Sequence, residues 1–264
     1  MRQGIFVGVV AGLLALTGWA QSGGQEDIIA KFAPSIDATI TCSSTYSSGF
    51  EDAFFQWCVT SNGNIAQFQA PFEHIRVGAV LEGYQICDVT PNVGYFDYAQ
   101  VESGNWRNAI LTQPNGPNTF PITVKRTTAD GNFTLTQKFA QDTKKRILTI
   151  TMMIKNNTSV QKNLKVYRFA DLDIDGAFTN TFDALTETAW ADNSVRGLTL
   201  ALETINFSNR AEKYKLSPVG PVPACAAPAD PKGPISEDGA VYVQALVPLE
   251  PKASDTVIVS YRAM

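Results

Sequence analysis

Histidine is nearly missing: His74 is the only one in 264 residues. That excludes the His-x-x-x-His zinc site, multi-histidine copper and iron centres, and any acid/base pair made of two imidazoles. A serine or cysteine nucleophile would have to recruit His74 itself. It sits in Phe72-Glu73-His74-Ile75, where a hydrogen-bonded structural role is the simpler expectation. The Gly-x-Ser-x-Gly elbow, the Gly-x-x-x-x-Gly-Lys phosphate loop and the dinucleotide fingerprint are absent too, so the motifs of three large enzyme classes are lacking. Basic residues are outnumbered, 21 against 25 acidic, for a net charge of −4. This disfavours nucleic acid and anionic lipid as partners.

Long apolar runs are scarce as well. The longest runs from Ile5 to Leu16, short of the roughly 18 to 20 residues that span a bilayer. Preceded by Arg2 and followed by small residues at Gly18 and Ala20, it reads as a signal peptide over residues 1–20. The expected product is a secreted or periplasmic chain, not inserted in a membrane, with residues 21–264 as one domain. Cys42, Cys58, Cys87 and Cys225 then read as two disulfides. Of three pairings, Cys42 with Cys58 and Cys87 with Cys225 is favoured, because the first two flank a hairpin-length segment.

What the chain has in quantity is a two-residue apolar period. Phe133, Leu135 and Phe139 share one face of a strand, and Leu148, Ile150, Met152 and Ile154 share another. Leu198, Leu200 and Leu202 repeat the pattern. Further strands are expected at 57–60, 65–69, 77–87, 122–126, 164–174, 186–190, 241–247 and 257–261. Ser61-Asn62-Gly63-Asn64, Asp130-Gly131-Asn132, Asn156-Asn157-Thr158-Ser159 and Asp238-Gly239 read as hairpin turns. One short helix is expected at Glu26–Phe32. The fold class is therefore all-β, an antiparallel β-sandwich of two packed sheets. Six prolines between Ser217 and Gly239 make 217–239 a surface loop pinned by Cys225.

Chemistry concentrates in two stretches. In an extended strand, Asp171, Asp173 and Asp175 project to one face and Leu164, Val166, Ala170, Leu172 and Ile174 to the other. Three like charges repel, and a structural calcium ion is one agent that offsets the cost. The alternative is an acidic strand rim relieved by Arg168 or Lys165. The EF-hand is rejected, since Phe182 stands where its bidentate glutamate belongs. Between Asn92 and Asn115, Tyr95, Tyr98, Trp106, Arg107 and Gln113 combine rings with amide and guanidinium groups. Exposed, they would form a sugar-binding surface; buried, the rings fill the core.

Asn62-Gly63-Asn64 leading to Pro71, Glu82-Gly83-Tyr84 before Cys87, Lys125-Arg126-Thr127 before Asp130-Gly131, and Arg168 before Asp171-Leu172-Asp173 resemble an uncharacterised group of secreted bacterial β-sandwich proteins. The resemblance covers about residues 60–205 and implies an exported bacterial protein, without lending an activity. At fold level the chain also resembles the supersandwich of sugar mutarotases and polysaccharide lyases. The mutarotase acid/base pair includes two histidines, and only His74 is present here. The leading expectation is a non-catalytic, secreted binder of an extracellular or cell-surface ligand such as glycan. A carbohydrate-active enzyme using paired carboxylates from Glu73, Glu82, Asp97 and Glu102 is the first alternative. A structural envelope or matrix component is the second.

Overall fold

Strands alternating apolar and polar residues bury one face only against another sheet, and the chain satisfies this with three antiparallel sheets. The computed structural model describes residues 40–76, 82–177, 179–185, 188–205, 210–217, 225 and 234–264. The expected leader, the helix candidate at Glu26–Phe32 and most of the proline-rich loop lie outside them. In chain order the strands are β1 (Ser44–Ser48), β2 (Phe55–Val59), β3 (Ile65–Gln69), β4 (Glu82–Asp88), β5 (Val93–Tyr98) and β6 (Val101–Glu102). Then follow β7 (Ile110–Thr112), β8 (Ile122–Thr127), β9 (Phe133–Asp142), β10 (Ile147–Asn156), β11 (Lys162–Asp171) and β12 (Asn180–Leu185). The last six are β13 (Thr188–Asp192), β14 (Gly197–Ile205), β15 (Arg210–Ser217), β16 (Ile235–Glu237), β17 (Ala240–Leu249) and β18 (Ser254–Ala263).

One sheet has nine strands in the order β16-β12-β13-β14-β18-β10-β9-β8-β7, and the second has six, β15-β17-β11-β4-β5-β6. The third, β1-β2-β3, is the sheet beyond the expected two. Leu148, Ile150, Met152 and Ile154 of β10 are fully buried, as are Phe133 and Leu135 of β9. They join Val166 of β11 and Val243 of β17 in one apolar cluster. The three-stranded sheet meets the same inner face through Trp57 on Phe139, with centroids 6.1 Å apart, and Phe68 on Tyr261, 6.0 Å apart.

Two of the four expected hairpin turns are something else. Asn62-Gly63 joins β2 to β3 and Asp130-Gly131 joins β8 to β9, but Asn156–Ser159 carries the chain from the nine-stranded to the six-stranded sheet. Asp238-Gly239 crosses likewise from β16 to β17. Turn residues report that the chain reverses, not which sheet receives it. The disulfides are Cys42–Cys58 and Cys87–Cys225.

A charged network runs through the interior between the sheets. Even-numbered residues of β11 face inward, and among them Arg168 is 1% exposed. Its Nε donates to Glu82 Oε1 at 2.6 Å, Nη1 to Gln137 Oε1 at 2.8 Å and Nη2 to the Gly63 carbonyl at 3.3 Å. Tyr261 Oη donates to the same Glu82 oxygen at 2.6 Å, and the amide of Ile65 donates to Glu82 Oε2. Burial lowers the Arg168 pKa and raises that of Glu82; for Arg168 the facing carboxylate more than reverses the effect. Asn64 Nδ2 reaches the carbonyls of Glu82 and Asp97. The approach is close enough that a Cβ on Gly83 would lie 1.8 Å from the Asp97 carbonyl oxygen, so only glycine fits.

Removing one member of a buried ion pair strands the other, at a cost of about 3 to 5 kcal/mol. Arg168→Met is expected to lower the unfolding free energy by that amount in equilibrium urea denaturation. A loss below about 1 kcal/mol, the level of an exposed pair, would contradict the interior assignment.

Candidate functional site

The rings expected to form a sugar-binding surface are turned inward. Tyr95 is 3% exposed, Tyr98 1% and Trp106 8%. Trp106 packs edge-on against Tyr84 and Tyr95, with the Arg126 guanidinium 5.2 Å from its ring centre. Tyr98 lies on the opposite face of β5, stacked on Phe96 and packed on Phe169. Arg107 alone of the four is exposed, and it bonds the Ala129 carbonyl at 3.1 Å. These three rings offer no open face to a sugar.

The three aspartates are not in one strand. β11 ends at Asp171, and the chain then turns through Asp175 and Gly176, both at positive φ. Asp175 bonds Arg196 at 3.0 Å and Asn193 at 3.3 Å, so Arg196, not Arg168 or Lys165, relieves its charge. Asp171 and Asp173 remain electrostatic neighbours, together with Asp238. Burial first, and these like charges second, push Asp171 up to about 8 and Asp173 up to about 7. Among the described residues, no group of three or more His, Cys, Asp or Glu side chains is placed to hold a metal ion. His74 is fully buried, pushed down to about 4 by that burial, and its Nδ1 accepts from the Asp175 amide at 3.3 Å. It is a neutral structural imidazole.

The four candidate carboxylates also have occupations. Glu73 Oε1 accepts backbone amides from Phe68, His74, Ile75 and Arg76. Glu82 faces Arg168. Asp97 and Glu102 grip opposite nitrogens of Arg126 at 2.6 and 3.0 Å, with Asp97 buried and pushed up to about 6 by that burial.

Two open depressions lie elsewhere, side by side at the tip of the β9–β10 hairpin where they share Thr143, and together they make a groove. One half is a cleft of about 490 Å³ lined by Phe120, Pro121, Phe139, Ala140, Gln141 and Thr143. Phe120 is half-buried and stacks on Tyr46 at 4.5 Å, and Tyr46 stacks on Trp57 at 4.5 Å. Trp57 Nε1 donates to Gln141 Oε1 at 2.7 Å, fixing that amide at the cleft wall. Gln113, from the stretch singled out in the sequence, bonds Tyr46 Oη at 3.0 Å behind the ring stack.

Thr143 also lines the other half, a hollow of about 510 Å³ with Ser48, Gly49, Asp52, Ala53, Lys144 and Arg146. Its wall is the turn between β1 and β2. Gly49 has φ +69 and would bring a Cβ within 2.2 Å of the Ala53 carbonyl oxygen, so the turn needs glycine there. Phe50, next along, is 75% exposed. Asp142 Oδ1 caps the hairpin tip, accepting from the amides of Lys144 and Lys145. Sequence reasoning missed this site; the run Lys144-Lys145-Arg146 between two alternating strands is the signal that marks it.

No protein-family model and no curated protein matches the sequence. Among solved structures, a bacterial glucoamylase complexed with acarbose superposes with a TM-score of 0.59 at 11% identity, over 86% of this chain and 32% of that one. The chain thus spans about a third of the glucoamylase. A polysaccharide lyase aligns at 0.49 and 11% identity, over 79% of this chain and 32% of that one. A protein assigned as an aldose 1-epimerase from Escherichia coli K12 aligns at 0.48 and 11% identity, over 84% and 99%. The likeness to the glucoamylase shows a shared β-rich fold and nothing finer.

Because an unfolded aspartate titrates near 3.8 and Asp171 in the fold near 8, its ionisation penalty enters as pH rises across that interval. Asp171→Asn is expected to gain stability over the unsubstituted protein between pH 4 and 8. His74 acts in the opposite direction but equally in both proteins, so it cancels in the difference. A melting-temperature difference that stays constant with pH would refute the upward shift that burial, and secondarily Asp173 and Asp238, impose on Asp171.

Proposed function

We propose that the chain is an exported, carbohydrate-binding β-sandwich whose glycan lies along the groove between Phe120 and Phe50. The observation that carries this reading is the half-exposed Phe120 ring, held by a stack of Tyr46 and Trp57 at the floor of a cleft whose wall presents the Gln141 amide. The apolar face of a pyranose stacks on such a ring while amides and hydroxyls bond its edge. Thr143 and Ser48 supply hydroxyls along the same groove. Phe50 adds a second ring that the fold leaves in water.

Binding is proposed instead of catalysis because, among the described residues, Asp52 is the one carboxylate in the groove lining, whereas glycoside cleavage by acid and base takes two. Export is supported by two disulfides, which form in an oxidising compartment, and by the leader read over residues 1–20. Affinity electrophoresis through gels of soluble polysaccharides tests the proposal. Retardation by at least one polysaccharide is expected, with Phe50→Ala and Phe120→Ala each weakening it roughly tenfold, the worth of one lost stacking contact of about 1.4 kcal/mol. Phe50 is exposed enough for its removal to leave the fold intact. Migration unaffected by any polysaccharide, or retardation that both variants retain, would refute the groove as a glycan site.

A further inference from the structure

We infer that the Lys144–Arg146 half of the groove selects an anionic glycan, one carrying carboxylate or sulfate groups; this rests on the glycan reading and names its ligand class. The hollow combines two cations, Lys144 and Arg146, with one carboxylate, Asp52. Among the described residues neither cation is ion-paired, whereas Arg126, Arg168 and Arg196 each face a carboxylate within 3.0 Å.

Arg146 is instead fixed by neutral oxygens. Its Nη1 donates to the Ala70 carbonyl at 3.2 Å and lies 3.5 Å from the Asp52 carbonyl. Backbone carbonyls orient a guanidinium without cancelling its charge, and the remaining N–H groups keep their capacity for an acceptor. Lys144 is exposed, and its amide, not its ammonium, is spent on Asp142. Neighbouring Lys145 leans toward Asp142 at 3.9 Å, which leaves Lys144 as the exposed lysine that lines the hollow.

The field is local, because the chain as a whole carries a net charge of −4. A polyanion is therefore repelled by the surface at large and attracted at this hairpin tip, so contact at the tip decides between charged and neutral sugars. The adjacent ring of Phe120 supplies contact common to both.

Oligogalacturonates with free carboxylates, the same oligomers fully methyl-esterified, and dextran sulfate against dextran are the probes, measured by titration calorimetry at low salt. At least one charged member is expected to bind ten-fold or more tighter than its neutral twin. Lys144→Gln should close most of that gap, and added salt should weaken the charged ligand only. Preference for the free acid assigns a uronate ligand, and preference for dextran sulfate a sulfated one. Equal affinity for charged and neutral twins, or a preference that survives Lys144→Gln, overturns the inference while leaving the glycan reading in place. Binding of none of the four overturns the inference, while the glycan reading stands or falls on the electrophoresis with other polysaccharides.

Discussion

A guanidinium cut off from water must be solvated by the protein itself, and in this chain the solvation of Arg168 ties the layers together. Glu82 comes from β4, Gln137 from β9 and Tyr261 from β18, so both large sheets contribute. The Gly63 carbonyl and the Ile65 amide come from the β2–β3 hairpin. Every one of these contacts loses its purpose if its neighbour shifts, because an unmet charge in the interior is more costly than the pair is favourable. The register of the three-stranded sheet against the sandwich follows from that constraint.

The groove depends on the same register. Trp57 on β2 reaches Gln141 and Phe139 only because the β2–β3 hairpin is held at Asn62–Asn64 by Asp97, Glu82 and Arg168. The ring stack from Trp57 through Tyr46 to Phe120 then sets the cleft floor. Interior charge and surface recognition are thus two ends of one mechanical chain, with the hairpin between them.

Much of the fold was legible from the period of two. β3 occupies Ile65–Gln69 as read, β8 extends its expected span by one residue to Thr127, and β17 extends its own by one residue at the start and two at the end. Edge strands such as β7 and β16 were not legible, because short edges carry little alternation. The turns at Asn156 and Asp238 betrayed reversal but not the change of sheet. The residues that carried the resemblance to secreted bacterial β-proteins, Asn62 to Asn64, Glu82, Arg126 and Arg168, proved to be members of the interior network. The site was harder to read. Tyr95, Tyr98 and Trp106 look like a recognition surface in sequence, but β5 is buried on both faces, and composition does not say which face of a strand meets water. Phe50 gave no sign at all, being one ring among Tyr46, Phe54 and Phe55 with no alternation to set it apart. Asp171, Asp173 and Asp175 were separated by a turn that strand periodicity had carried straight through.

The most direct test of the central claim, that recognition occurs at the hairpin-tip groove and not along the 95–107 stretch, is an amide chemical-shift map recorded during titration with an oligosaccharide that binds. The account predicts perturbations confined to residues 48–53, 120 and 141–146, with the amides of Tyr95, Tyr98 and Trp106 unmoved. Perturbations centred on those three residues, with the hairpin tip silent, would contradict it.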